Sequence, residues 1–386
     1  MPDTNSIYIT NASLVVKESV INQGALLVKD GVIDAINPVA VTNSHHIDLK
    51  GKYLLPGMID LHCDALEKEV EPRPGVHFPL NLACAQADKR NAAAGITTVF
   101  HAISFANEEL GVRNNDMAKT VVQAVNDWQP HTLVDNRIHC RYEVTDPEAM
   151  SILTLLMDQG RVHLLSVMDH TPGQGQFKDI AAYRDYLIKT YKKEEKEAEK
   201  IIQRKFDSTN HVLNRIKQIA QHARHFSIPL ASHDDDSPER IDLMHDLGIG
   251  ISEFPINIDT AKRARNKGLS TVAGAPNLLR GKSQAGSMCA LDGIKADAID
   301  CLCSDYSPAS LIVAVFQLAQ SREIALHEVI QLVTSHPAKA SGLLDRGEIS
   351  VGKRADLIAV SQPGNLPQVT DVFIEGINVF SVKFNH

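Results

Sequence analysis

The sequence lacks any apolar run of the roughly 18 residues that a membrane-spanning helix needs. Its amino terminus, MPDTNSIYITNASLVV, lacks the basic start and long apolar stretch of a secretory leader. Cysteine is sparse: six in 386 residues are too few for a disulfide scaffold. Cys301 and Cys303 lie two apart in an apolar run, which is a strand pattern and not a C-x-x-C metal or redox motif. These absences point to a reduced, cytoplasmic compartment. Positive charge is also short. Lys and Arg total 39 against 47 Asp and Glu, a net charge of −8. That balance argues against a general nucleic-acid binder and leaves room for a local basic pocket for a small anion. Neither nucleic acid nor membrane is expected as a partner. Disorder is excluded as well, because 44% hydrophobic with 22% charged residues is the balance of a globular chain with ample core.

What is present is an alternation. The first 50 or so residues read as short strands, SIYIT, SLVV, GALLVKDGVIDAI and HHIDLKGKYLL, with KDG at 29–31 as a hairpin turn. The end of the chain looks alike: GEISVGKRADLIAVS, then DVFIEGINVFSV, with Glu375-Gly376 between two strand-like runs. Matching ends around a different middle suggest one small β-sandwich domain built from both termini, 1–54 plus 347–386. The other arrangement is two unrelated flaps. Between them, 55–346 holds eight strand candidates: GMIDLHCD, ITTVFHAI, NRIHCRYEV, VHLLSVMDH, IPLASHDD, GISEFPI, STVAGAPN and AIDCLCSD. Helical patterns separate most of them. Near-continuous apolar strands joined by helices are the arithmetic of an α/β chain folded as a (β/α)8 TIM barrel. A charge-rich segment at 177–226, containing KKEEKEAEK, separates the fourth and fifth candidates. It reads as a solvated helix laced with i,i+4 pairs, with an arm over the active site as the functional alternative.

Ionisable residues recur at the ends of these strands, where barrel active sites form. His62 and Asp64, two apart, would share a strand face and chelate a divalent cation. Glu143 ends the third candidate, Asp169-His170 the fourth, His233 the fifth and Asp305 the eighth. Any one of these alone is better explained as a hydrogen-bonded histidine or a helix N-cap. Together, converging on one axis, His62, Asp64, Glu143, His170, His233 and Asp305 suit one or two divalent metal ions, zinc first and manganese second. Two ions need a bridge, and Glu143 is the carboxylate placed to supply it. A metal site with open positions activates water, so hydrolysis of an electrophile is the expected reaction class, with Asp305 as catalytic proton acceptor.

LPGMIDLHCD, the histidine series, Asp305 and the tail SHPAKASGL…GEISVGKRADLIAV together resemble the amidohydrolase superfamily. The likeness covers essentially the whole chain. A narrower likeness rests on HCDALEKEVEPRPGVHFP, ASHDDDSPE, SEFPIN, GAPNLLRGKSQAGS and CSDYSPASL. These motifs resemble one branch, the diphosphatases acting on α-D-ribose 1-methylphosphonate 5-triphosphate in carbon–phosphorus lyase metabolism. That resemblance implies removal of pyrophosphate from a ribosyl triphosphate to leave a 5-phosphate. It implies the same six residues as metal ligands, with Asp305 also accepting the proton. Two departures from the wider superfamily fit this branch: the usual H-x-H is His62-x-Asp64, and Glu143 stands where many relatives carry a bridging lysine. Dimers are common in the superfamily, so a homodimer is the assembly the resemblance admits.

Phosphoryl chemistry needs charge neutralisation. The loop APNLLRGKSQAGS offers Asn277, Arg280, Lys282, Ser283 and Ser287, a phosphate cradle in composition, without the spacing of a Walker loop. The loop after the first strand adds Lys68, Arg73 and His77. Asn277, Arg280, Ser283, Arg73 and His77 are the substrate-binding candidates. Two rival readings keep the fold: a metal-dependent deacetylase or cyclic-amide hydrolase, and a catalytically dead scaffold. The cationic loops speak against the first, and the intact ligand set against the second.

Overall fold

The structure is a computed structural model and describes residues 6–107, 113–171, 180–189, 194–283, 286–321 and 324–384. Five strands open the chain: β1 (Ser6–Val15), β2 (Val20–Lys29), β3 (Val32–Ile36), β4 (His45–Asp48) and β5 (Tyr53–Pro56). Eight follow: β6 (Met58–Cys63), β7 (Ile96–Phe105), β8 (Asp135–Glu143), β9 (Leu164–Met168), β10 (Leu230–His233), β11 (Ile251–Glu253), β12 (Ser270–Gly274) and β13 (Cys301–Cys303). The last three are β14 (Leu357–Ser361), β15 (Gln368–Ile374) and β16 (Ile377–Ser381).

Strands β6 to β13 are the eight candidates read from the sequence. They pair in parallel, each with its sequence neighbour. The two edges meet where Asp64 N–H donates to the Asp305 carbonyl (2.9 Å) and Asp305 N–H to the His62 carbonyl (3.0 Å). Asp60 braces this seam from inside, since its Oδ1 accepts from the backbone N–H of His62 (3.2 Å) and of Ser304 (3.0 Å). Ile59, Leu61, Phe100, Leu164, Ala231, Ile251, Val272, Cys301 and Cys303 fill the axis, so the barrel is a packed core with chemistry confined to its mouth.

The 177–226 segment turns out to be mostly the barrel's own helix. Glu195–His225 is one helix of 31 residues. In its C-terminal part Val212, Ile216, Ile219, Ala220 and Ala223 bury against the barrel. Its N-terminal part pairs with the helix Ile180–Lys189 through Tyr183, Leu187, Ala198, Ile201 and Ile202. The reading of a solvated helix holds over 195–200, where every charged residue is exposed and only Ala198 is buried. It fails at Lys205, described below. Residues 177–179 and 190–193 lie outside the described residues.

Both termini build one sheet, in the order β16-β15-β14-β5-β1-β2-β3 with β4 also on β1. The sheet curls over its own core: Ile33 of β3 and Phe373 of β15 share one cluster with Ile9, Leu14, Leu26 and Leu54. This is the expected composite β-structure, and it is not a pair of separate flaps.

Candidate active site

Three strands end in residues with left-handed backbone. Asp234 follows β10 (φ 56°), Phe254 follows β11 (φ 54°) and Asp305 follows β13 by two residues (φ 55°). Each amide still pairs with the next strand or across the seam: Asp234 N–H to the Glu253 carbonyl, Phe254 N–H to Val272 and Asp305 N–H to His62. The chain then bends sharply and aims its side chains at the axis. Left-handed φ is rare for such residues, above all phenylalanine, and clusters at functional sites.

His62, His139 of β8 and Glu253 of β11 are fully buried and offer ligand atoms within 4.8 Å of one another. His62 Nδ1 lies 3.2 Å from Glu253 Oε1, and His139 Nε2 3.7 Å from Glu253 Oε2. The rings of His233 and Phe254 lie 5.6 Å and 5.0 Å from that of His62. Burial pushes both His62 and His139 toward the neutral imidazole, His139 down to about 3, and the Arg141 charge adds to this. A neutral imidazole is the form that ligates metal. A second group stands beside the first. His170 Nδ1 is 2.8 Å from Glu143 Oε2, His170 Nε2 4.0 Å from Asp234 Oδ2, and His233 Nδ1 3.0 Å from Asp234 Oδ2. Burial raises the Glu143 carboxyl, but Lys205 (3.3 Å from its Oε1) and His170 outweigh it and hold the group ionised.

Of the six residues expected to hold metal, His62, Glu143, His170, His233 and Asp305 face this mouth. Asp64 stands at the strand end. The strand stops at Cys63, and Asp64 takes φ −96°, ψ 8° ahead of the helix Ala65–Val70, while its N–H still pairs across the seam with the Asp305 carbonyl. Its carboxylate receives Arg113 (3.2 Å). Its charge still reaches Asp305, whose carboxyl burial and Asp64 together push up to about 6. Glu253 Oε2 is buried at the mouth without a hydrogen-bond partner, and Glu143 Oε2, His233 Nδ1 and Asp234 Oδ2 are buried with only one another and His170 to face. Buried N and O atoms so sparsely partnered are costly unless something else binds them. Mixed imidazole and carboxylate donors fit a divalent cation.

A cavity of about 190 Å³ opens beside this cluster. Asp234, Phe254, Asp305 and Tyr306 line it, together with Asn277, Arg280 and Ser283. The loop after β12 thus brings three of the five substrate candidates to the site. Asn277 is engaged in bracing that loop: its Nδ2 donates to the Met288 carbonyl (3.1 Å) and its Oδ1 accepts from Ala290 N–H (2.9 Å). Arg73 and His77 are not among the residues lining this cavity. Both are exposed on the 71–79 loop, where His77 Nε2 lies 3.8 Å from Glu71 Oε1.

Sequence reasoning missed His139, Arg141, Glu253 and Lys205. The first two had a signal, since His139, Arg141 and Glu143 alternate along β8 and therefore share its inward face. Glu253 had only its place at a strand end. Lys205 had none, because a lysine on a charged helix reads the same whether it faces water or a buried glutamate.

A family model described as the amidohydrolase family matches residues 53–379. The chain is 34% identical, over 96% of its length and all of the relative's, to an α-D-ribose 1-methylphosphonate 5-triphosphate diphosphatase of Escherichia coli strain K12. In fold it is similar to an N-acetylglucosamine-6-phosphate deacetylase from Pasteurella multocida, with TM-score 0.66, 15% identity and coverage of 96% of this chain and 98% of that one. A dihydropyrimidinase from Brevibacillus agri NCHU1002 superposes with TM-score 0.65 and 14% identity, covering 97% and 95% of the two chains. A parallel barrel closed beside a two-ended β-sheet, histidines and carboxylates gathered at its mouth, and a family match over most of the sequence agree: this chain is a member of the amidohydrolase family.

Proposed function

We propose that the chain hydrolyses α-D-ribose 1-methylphosphonate 5-triphosphate to the 5-phosphate and pyrophosphate, in the cytoplasm. The observation that carries this reading is the 34% identity to a diphosphatase of that name over that relative's full length. The cavity supports it, because Arg280 and Ser283 line it together with Asp305, and a neutral amide would need no such cation. We assign His62, Asp64, Glu143, His170, His233 and Asp305 to hold one or two divalent cations, zinc or manganese, with Glu143 as the bridge. Such a cation, when bound, lowers the pKa of water and neutralises phosphate charge. The residues around it do the rest. Glu253 takes His62 Nδ1 and so fixes the ring, leaving Nε2 as the outward donor. Asp305, with its carboxyl raised to about 6, accepts a proton from attacking water more readily than an ordinary aspartate. Arg280 holds the departing pyrophosphate. The reading keeps the division into a terminal β-domain (1–54 plus 347–386) and a barrel (55–346), with a homodimer as the assembly. Among the described residues no helix is long and apolar enough to cross a membrane.

Phosphorus NMR of the zinc- or manganese-loaded protein with the ribosyl triphosphate tests the reading. Pyrophosphate appearing in step with a 5-phosphate is expected. Intact triphosphate, with metal bound, would overturn it and leave deacetylase or cyclic-amide chemistry as the next reading.

A further inference from the structure

The inward face of β8 carries a residue that the six-ligand set leaves without a task. His139, Arg141 and Glu143 point to the axis, while Ile138, Cys140, Tyr142 and Val144 pack in the outer core. His139 meets Glu253 and Glu143 meets His170. Arg141 lies between them, only 8% exposed. Its Nε is buried without a hydrogen-bond partner. Among the described residues its guanidinium forms no ion pair, whereas Arg113 at the same mouth holds Asp64 and Glu67. Its charge nonetheless acts on His62 of β6, on Asp234 after β10 and on Asp305 after β13. A side chain felt at three separate strand ends stands near the axis.

A buried guanidinium with no carboxylate against it is costly. Divalent cations bound at the neighbouring histidines would raise that cost unless an anion sat between. The fork of N–H groups matches two oxygens of a phosphate. Arg280, by contrast, is exposed at the rim. We propose that Arg141 is a catalytic residue that grips the non-bridging oxygens of the phosphoryl group under attack, so that the site takes a phosphoanhydride in preference to a neutral amide. This rests on the diphosphatase reading above. In the displacement, the water oxygen bonds to phosphorus and the bond from phosphorus to the pyrophosphate oxygen breaks. The electron pair leaves on pyrophosphate and the water's proton goes to Asp305. Arg141 forms no covalent bond. It stabilises the oxygens on which charge is spread.

The test compares metal-loaded wild type with Arg141→Met and Arg141→Lys. Three quantities are measured: bound metal, affinity for inorganic phosphate by calorimetry, and kcat and KM for the ribosyl triphosphate. Metal content should not change. Arg141→Met should weaken phosphate by about tenfold or more and lower kcat by about a hundredfold or more. Arg141→Lys should restore much of the phosphate affinity and little of kcat, because it keeps the charge and loses the fork. If Arg141→Met does not fold, the lysine variant decides alone, and an unchanged kcat in it overturns the proposal. So does phosphate affinity equal to wild type in Arg141→Met, or a loss of kcat that merely follows a loss of metal. A wild type that binds phosphate through Arg141 yet releases no pyrophosphate would sink the diphosphatase reading and keep Arg141 as the anion reader. A wild type that releases pyrophosphate while Arg141→Met does so equally well would sink only Arg141.

Discussion

In the terminal sheet, left-handed backbone serves turns and irregularities of pairing, such as Asn11 where β1 shifts register against β2. Asp30-Gly31 joins β2 to β3 and Glu375-Gly376 joins β15 to β16, and all four residues have positive φ, the conformation a two-residue hairpin prefers. At the barrel mouth it falls on Asp234, Phe254 and Asp305, within two residues of strand ends, where a plain connection would not need it. The two regions also differ in what they bury. The sheet core is a cluster of aliphatic side chains with Phe373, and its few buried polar residues, Ser6, Asp356 and Thr370, are scattered. The mouth buries His62, His139, Arg141, Glu143 and Glu253, several of them sparsely partnered. Strain in the sheet serves connection. At the mouth, strain and unpaired polar groups are stability given up to aim side chains. Substitutions in the two regions should therefore separate activity from stability.

The largest effect should come from Asp305→Ala, with turnover falling by about a thousandfold or more as a proton acceptor and its charge are lost. Its thermal midpoint should hold, and most of the metal should stay. His62→Ala should lose metal and turnover together, as metal analysis beside the rate assay would reveal. An Asp305→Ala enzyme retaining more than about a tenth of the wild-type rate would take Asp305 out of the chemistry.

Acid should strike the barrel before the sheet. His101 is buried on β7 with Nε2 2.7 Å from Asn136 Oδ1, and burial lowers it from 6.5 to about 4. The unfolded chain takes up a proton below pH 6.5 and the folded barrel does not until about pH 4. The stabilisation is thus complete above 6.5 and drains away as pH falls toward 4. Across that window the change amounts to about 3 kcal/mol. His139, lowered to about 3, adds to it. On acidifying the metal-free protein, hydrogen-exchange protection should fall first in β6 to β13. Equal or earlier loss in the terminal sheet would break the contrast. Replacing His101 with glutamine should flatten the dependence.

A smaller effect is expected at the rim. Arg280→Ala should reduce kcat/KM by about tenfold, the size of one lost charge-assisted hydrogen bond to pyrophosphate, with no change in metal content or midpoint. An unchanged rate places Arg280 outside the site.

Much of this contrast was legible in the sequence, and the part that was not has a physical reason. Eight apolar runs gave eight parallel strands because strands buried on both faces need no alternation. KDG and Glu375-Gly376 marked the hairpins because those turns admit few residues. His139, Arg141 and Glu253 escaped because a polar residue inside an apolar run is judged against its neighbours, and only the fold shows three such residues meeting. The end of β6 at Cys63, one residue before Asp64, also escaped, since a strand end is not sharply marked in an apolar run. Lys205 reaches Glu143 across 62 residues of sequence, a distance no local pattern encodes.

The mildest substitution is the sharpest test of independence between the two regions. At Gly376, φ is 77° and an added Cβ would stand 2.9 Å from Val28 Cγ1. At Gly31, φ is 79° and an added Cβ would stand 3.0 Å from Glu375 Cβ. The tip of one hairpin is therefore seated on the other, and this contact joins the first strands of the chain to the last. Gly376→Ala meets both costs, the left-handed backbone and the close approach to β2, of about 1–2 kcal/mol together. The midpoint of thermal unfolding should drop by a few degrees, while kcat and KM at lower temperature stay at wild-type values, because the atoms an added Cβ would meet belong to Val28 and Ile7 of the sheet. If Gly376→Ala instead lowers kcat with the midpoint unchanged, the sheet is not a passive support. The route would then run through β14, which pairs with β5 immediately before β6 and His62, and the ring of His62 would report it as a shifted resonance.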